Sequence, residues 1–220
     1  MSRLTVYFDL DGTILDVSRR YYAVYSTLLT QLGSAPLQED EYWRLRRANA
    51  GPREFLPDLD TIGREVFAQG WLRAIESDRS LELDSPFPGV RETLRSLSKE
   101  HRLVLVTLRR SRERLLGQLR ALALDVFFVK VLTTDNQGQP GDLKGRLVKR
   151  DSIGHREAIV VGDSEADVQA ARHAGLPVAC VCSGIRNRDF LTELAPDALI
   201  ESLTQLPPLL ASLPLLAAST

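Results

Sequence analysis

Aspartates stand where two apolar runs of this chain give way to turns. Asp9 and Asp11 follow the run at 4–8, and Asp163 follows the run at 158–161, with Asp167 one helical turn further on. A third run, 103–106, ends in Thr107. In open parallel sheets ligands bind beyond the carboxyl ends of the strands, so these are the positions at which chemistry is expected. Carboxylates converging on one mouth repel one another, which is costly unless a cation or a proton shares the site. Few, hard oxygen ligands suit magnesium, which keeps several waters and a substrate phosphate in its shell. Each element also has a plainer meaning: Asp11-Gly12 is a common turn, and Asp163-Ser164 can cap a helix. Their joint placement at three strand ends favours the chemical reading.

The elements around these residues follow from hydrophobic period. Residues 4–8 are β-branched and aromatic and read as a strand. From Val17, apolar residues recur at Tyr21, Val24, Leu28 and Leu32, a helical spacing, with Gly33 as a stop. Between 36 and 80 no strand is evident, and 40–48 and 60–78 read as short amphipathic helices. After 86–89, strands and helices alternate: a helix with Val90, Leu94 and Leu97, the strand 103–106, and a helix capped by Ser111. A strand near 126–132, a helix near 144–150, the strand 158–161, a helix at 165–174 stopped by Gly175, and strands at 178–181 and 198–200 follow. That alternation implies an α/β fold, a Rossmann-like parallel sheet covered by helices on both faces. The predicted organisation is a core of residues 1–15 and 85–220, interrupted after its first strand by a small helical domain at 16–84.

The chain has 220 residues, enough for a full core and a small second module, and its composition is 44% hydrophobic and 26% charged. With 28 Lys and Arg against 29 Asp and Glu, the net charge of −1 argues against binding a nucleic-acid polymer. The N-terminus shows no signal-peptide pattern, and the apolar tail around 209–218 is too short and too rich in proline to span a bilayer. Cys180 and Cys182 alternate on one strand, a poor geometry for a mutual disulfide, and read as small core residues. A cytoplasmic protein without membrane attachment is expected.

Phe8-Asp9-Leu10-Asp11-Gly12-Thr13 resembles the first signature of the haloacid dehalogenase-like superfamily, in the DxDGT form typical of its phosphatases. Thr107 resembles the second, and Gly162-Asp163-Ser164-Glu165-Ala166-Asp167 the fourth, GDSxxD. The third, a lysine at a helix start, best matches Lys144, with Lys149 as the competing candidate. The resemblance spans the chain in the right order. It implies a phosphoglycolate phosphatase-like enzyme that hydrolyses a small phosphate monoester through an aspartyl-phosphate. Asp9 would be the nucleophile, and Asp11 the general acid and then base, protonated at the first step while Asp9 stays charged. Mg2+ would be held by Asp9, the backbone carbonyl of Asp11 and Asp163, with Thr13 and Asp167 supporting from behind. Thr107, Lys144 and the backbone at Leu10 and Leu108 would bind the phosphoryl oxygens. Two departures stand out: Leu108 replaces a small or polar residue, and Lys144 lacks the following proline of many relatives.

The insertion resembles the family's helical cap, hinged near 16–18 and 81–85, which closes over the site. Within it, 46–53 resembles the loop that reaches toward the substrate, making Arg47, Asn49 and Arg53 candidates for specificity. Tyr21, Tyr22 and Tyr25 with Arg19 and Arg20 are further candidates for the cleft, and the arginines at 109–114 for attracting an anion; exposed or core positions are the simpler alternatives. The competing functions are a phosphomutase on the same core, against which Thr13 speaks, and a non-catalytic binding protein. A phosphorylated small molecule is the expected partner, and the chain is expected to be a monomer or homodimer.

Overall fold

A computed structural model describes residues 4–134, 138–154 and 157–212. In chain order the elements are β1 (Thr5–Phe8), β2 (Leu15–Asp16), α1 (Ser18–Gln31), α2 (Glu39–Arg47), α3 (Pro52–Phe55), α4 (Thr61–Ala74), α5 (Asp78–Leu81) and β3 (Ser85–Pro86). Then follow α6 (Val90–Glu100), β4 (Arg102–Val106), α7 (Arg112–Ala121), β5 (Lys130–Leu132), α8 (Pro140–Ser152) and β6 (Ala158–Gly162). The chain continues through α9 (Glu165–Ala174), β7 (Val178–Val181), α10 (Arg188–Glu193), β8 (Ala198–Ile200) and α11 (Leu206–Ser212), with 3-10 turns at Asp125–Phe127 and Leu203–Gln205.

Six strands form one parallel sheet in the order β5-β4-β1-β6-β7-β8. The α/β expectation holds, and β1 lies at its centre, flanked by β4 and β6. Both of its faces are covered, which is why Thr5–Phe8 is buried throughout. Val6, Phe8, Leu103, Leu105, Ile159 and Val161 pack on one face with α6 and α7. Tyr7, Val104, Val106 and Val160 pack on the other, with Val148 of α8 and Val168 and Ala171 of α9. The strand order changes direction at β1, so the turns after β1, β4 and β6 meet at one mouth, where such sheets bind their ligands.

Two predicted elements differ. The strand expected near 126–132 is a 3-10 turn followed by β5 at Lys130–Leu132, because Asp125–Phe127 closes a turn before the chain reaches the sheet edge. The helix expected near 144–150 begins one turn earlier, at Pro140, a residue suited to the first helical position.

The α8–α9 contact is unusually close. Gly141 and Gly145, four apart on α8, face Gln169 and His173 of α9; added β-carbons would meet their Cβ atoms at 2.5 and 2.7 Å. At the other end of α8, Asp151 accepts hydrogen bonds from Tyr7 of β1 at 3.1 Å and Arg102 of β4 at 2.9 Å.

Helices α1–α5 gather between β2 and β3, which pair antiparallel as a two-residue ribbon, Leu15 opposite Pro86 and Asp16 opposite Ser85. They have a small core of their own: Tyr25, Leu29, Tyr42, Leu56 and Leu59, with Trp43, Phe67 and Trp71 against it. The expected pattern at 17–32 shifts by a residue, since Tyr25 and Leu29 are buried while Leu28 and Leu32 are half-buried. Arg20, a candidate for the cleft with an exposed position as the simpler alternative, is fully buried. Among the described residues no helix is long and apolar enough to cross a membrane.

Candidate active site

β1 ends at Phe8, and the chain turns at once, because Gly12 adopts a left-handed φ of +91° that other residues rarely take. A β-carbon there would also lie 2.2 Å from Asp163 Oδ2, so Gly12 fixes how near the first turn comes to the turn after β6. Thr13, buried in the same turn, donates to Asp163 Oδ1 at 2.8 Å, and the backbone N–H of Ile185 donates to Oδ2 at 2.6 Å. Asp163 is therefore oriented from two sides before any ligand arrives.

Lys144 projects from α8 between two carboxylates, with Nζ 2.6 Å from Asp9 Oδ1 and 2.7 Å from Asp167 Oδ1. Lys149, on the same helix, is exposed. The structure thus brings Lys144, and not its competitor, to Asp9, although it sits in the second turn of the helix rather than the first. The two glycines of α8 allow that reach. Asp167 does double duty at the start of α9: its Oδ2 accepts from the backbone N–H of Asp163 and Ser164 and from Ser164 Oγ at 2.7 Å. The side chain that caps α9 is thus also the one that reaches Lys144. A β-carbon on Gly162 would stand 2.1 Å from Asp167 Cγ, so that residue too is confined to glycine.

Asp9, Asp163 and Asp167 are buried and bring carboxylate oxygens within 4.8 Å of one another. Burial, with Lys144 only partly compensating, pushes Asp9 up to about 7. Burial and the charges of Asp9 and Asp167 push Asp163 well above the usual carboxylate range. Burial alone would favour neutral Lys144, yet Asp167 and Asp9 outweigh it and hold the ammonium firmly charged. One ammonium among three buried carboxylates leaves the cluster short of positive charge, and an all-oxygen donor set of this kind fits a hard divalent cation. Asp167 has both oxygens engaged by the protein. So has Asp163, from Thr13 and Ile185. Asp9 Oδ2 accepts no hydrogen bond among the described residues, which makes Asp9 the best placed of the three to serve a cation.

Thr107 is buried at the end of β4 and lines the same cavity, of about 230 Å³, with Asp9, Asp11, Leu108, Lys144 and Ser164. Its Oγ1 accepts from the N–H of Arg109 at 3.3 Å. Leu10 is buried, and the backbone hydrogen bonds of the two turns do not use the N–H of Leu10 or Leu108.

Two residues central to this geometry entered the sequence reading only as members of arginine clusters. Arg109 grips Asp11 with both arms, Nε to Oδ2 at 2.7 Å and an NH2 nitrogen to Oδ1 at 2.6 Å. Arg20, from α1, approaches Asp11 Oδ1 at 3.0 Å. Behind them Asp84 accepts from Arg20 Nε at 2.9 Å, Arg109 at 3.2 Å and Gln118 at 2.9 Å. Burial alone would raise Asp11, but the two guanidiniums outweigh it and hold its carboxyl well below the usual range. As the structure stands Asp11 is a carboxylate, not the protonated acid that the family mechanism requires at its first step. The specificity candidates Arg47, Asn49 and Arg53 are exposed and do not line the cavity. Tyr21, Trp71, Ile75 and Glu76 supply the wall on the insertion side.

A six-stranded parallel sheet thus carries, at its switch point, acidic turns with a lysine reaching into them, at the position where such sheets bind ligands. Residues 6–181 match the haloacid dehalogenase-like hydrolase family, and the chain belongs to it. It is 29% identical over 217 residues to a phosphoglycolate phosphatase of Pseudomonas putida, covering 92% of this chain and 78% of that one. It is 27% identical over 214 residues to the pyrophosphatase PpaX of Bacillus cereus, covering 95% and 97%. Among solved structures, a haloacid dehalogenase-like family hydrolase from Streptococcus pneumoniae superposes with a TM-score of 0.79 at 18% identity, covering 95% of this chain and 99% of that one.

Proposed function

We propose that this protein is a Mg2+-dependent phosphatase of a small phosphate monoester, acting through an aspartyl-phosphate on Asp9. The observation that carries the reading is the Asp9–Lys144–Asp167 chain at 2.6 and 2.7 Å beside Asp163, in a cavity of about 230 Å³. The relatives named for phosphoglycolate and pyrophosphate hydrolysis point the same way.

Asp9 attacks phosphorus in line with the ester oxygen; the phosphorus–oxygen bond breaks and the alcohol takes a proton from Asp11. Asp11 must leave the arginines and carry a proton for that step. Water then attacks the aspartyl-phosphate, Asp11 accepts its proton, and the bond from phosphorus to Asp9 breaks to release phosphate. Lys144 and Thr107, with the N–H groups of Leu10 and Leu108, hold the non-bridging oxygens where charge accumulates. Mg2+, bound by Asp9, the Asp11 carbonyl and Asp163, would neutralise the nucleophile and the phosphoryl group. Thr13 and Asp167 keep Asp163 and Lys144 in place. The helical insertion acts as a cap, residues 16–84, that shields the aspartyl-phosphate from bulk water. The cytoplasm, where phosphate esters and Mg2+ are plentiful, is the proposed setting.

Phosphate release from a panel of monoesters tests this. Wild type should turn over at least one ester with Mg2+, lose that activity in EDTA and regain it on adding Mg2+. Asp9→Asn should lose it by several orders of magnitude with an unchanged circular-dichroism spectrum. A folded wild type that releases phosphate from none would sink the proposal.

A further inference from the structure

Arg20, Arg109 and Asp11 line the cavity, and Asp84 closes a quartet with them from behind. The two guanidiniums come from different parts of the chain, Arg20 from α1 of the insertion and Arg109 from the turn after β4. Asp84 lies behind them, its side chain wholly enclosed, as is that of Arg20; Arg109 is 4% exposed. Asp11 is the member of the quartet that meets solvent, at 17%. It is also the one held entirely by the other two, Oδ1 by both arginines and Oδ2 by Arg109.

Two buried guanidiniums with one enclosed carboxylate behind them carry one uncompensated positive charge, and Asp11 compensates it. That leaves a difficulty for the site. A carboxyl whose two oxygens lie in the Arg109 fork, with Arg20 in ion-pair contact at 3.0 Å, cannot at the same time face the leaving oxygen of a phosphoryl group on Asp9. Something must take its place, because stripping Asp11 away would leave buried guanidinium unpaired, a costly state. Planar, bidentate arginine forks match carboxylate and phosphate oxygens better than any neutral group. Arg20 and Arg109 line the same cavity as Asp9, about 230 Å³ in volume.

We propose that Arg20 and Arg109 are the recognition site for a second anionic group on the substrate, a carboxylate or a further phosphoryl group, and that Asp11 occupies it as a stand-in. When the substrate's anion takes the forks, the Asp11 carboxyl is displaced and turns toward the leaving oxygen. The inference rests on the phosphatase reading and narrows it. The substrate class is a small phosphoric ester or anhydride with a second anion a few bonds from phosphorus, and uncharged alcohol phosphates bind without freeing Asp11. This places the selective arginines in α1 and in the turn after β4 rather than in the 46–53 segment.

The test uses an isosteric pair of stable ligands, 3-phosphonopropionate and propylphosphonate, titrated calorimetrically into the Mg2+-loaded protein. The two differ only in a terminal carboxylate against a methyl group. Wild type should bind 3-phosphonopropionate about 10- to 100-fold more tightly, the range for a charge-assisted bidentate contact. Arg109→Lys keeps the charge but loses the fork, and should collapse the ratio to near unity. Equal affinities in wild type, or binding of neither ligand, overturn the proposal without recourse to any variant. Turnover of 2-phosphoglycolate and ethyl phosphate is measured alongside. Selective binding with no phosphate release from either ester or from the wider monoester panel would overturn the phosphatase reading and leave the anion site standing. Equal binding with equal kcat/KM on both esters would do the reverse.

Discussion

At the scale of single residues, Lys144 decides whether the acidic cluster is a site at all. It answers Asp9 and Asp167 together, and without it two buried carboxylates lose their only ammonium. Lys144→Met should therefore cost several orders of magnitude in kcat/KM, whereas Lys149→Met, on the exposed side of the same helix, should stay within about twofold of wild type. Steady-state kinetics on the preferred ester compares them; the opposite ranking would move the phosphoryl-binding role to Lys149. The carboxylates and Thr107 were legible in the sequence because each ends an apolar strand, and a parallel sheet delivers strand ends to one place. Arg20 and Arg109 were legible only as candidates, for facing the cleft and for attracting an anion. Their partners lie 64 and 98 residues away, at Asp84 and Asp11, and an arginine beside other arginines looks like solvated surface until its carboxylate is known.

Among the elements, α8 and α9 carry the two halves of the lysine–aspartate contact, and their separation sets its length. Gly145→Ala offers a contest between two known magnitudes. Alanine favours a helix interior over glycine by about 1 kcal/mol. Its β-carbon, however, would stand 2.7 Å from His173 Cβ, an atom that cannot swing aside without moving α9. Overpacking of this sort typically costs about 1–3 kcal/mol. The expected result is a lower Tm by thermal denaturation, with kcat reduced as Lys144 is drawn from Asp9. A raised Tm would show that α9 yields cheaply. Alternation of period revealed the sheet and its helices, and their order. It did not reveal the start of α8, four residues before Lys144, or the 3-10 turn ahead of β5. Both depend on where the chain must stop to meet a neighbour, which local pattern does not encode.

On the scale of the whole molecule, the insertion is tied to the core on two sides. Arg186, in the turn after β7, grips Glu165 at 2.7 and 2.8 Å and donates to the carbonyl of Arg46 at 2.8 Å; next to it, Asn187 N–H donates to the carbonyl of Arg47 at 3.0 Å. Across the cavity, Glu76 receives the N–H of Arg110 and of Ser111. Arg186→Ala removes one tie without touching the cavity's charged groups. It should lower kcat/KM about tenfold on every ester alike, since it acts on closure and not on recognition. A loss confined to esters with a second anion would instead place Arg186 in contact with substrate.

The ribbon of β2 and β3 has a further consequence. By holding Asp16 against Ser85 it brings the two ends of residues 17–84 to the separation of an ordinary hairpin. Seen from the sheet, the whole excursion is one long turn. Closing such a loop costs about 0.6 kcal/mol for each doubling of its length, so growth from a few residues to its present size burdens the core by only about 2–3 kcal/mol. The sheet can thus host inserts of very different length and sequence at this point while its own strands keep their register. Under the proposed function, selectivity can be rewritten in the excursion while Asp9, Asp11 and Asp163 stay where the sheet puts them.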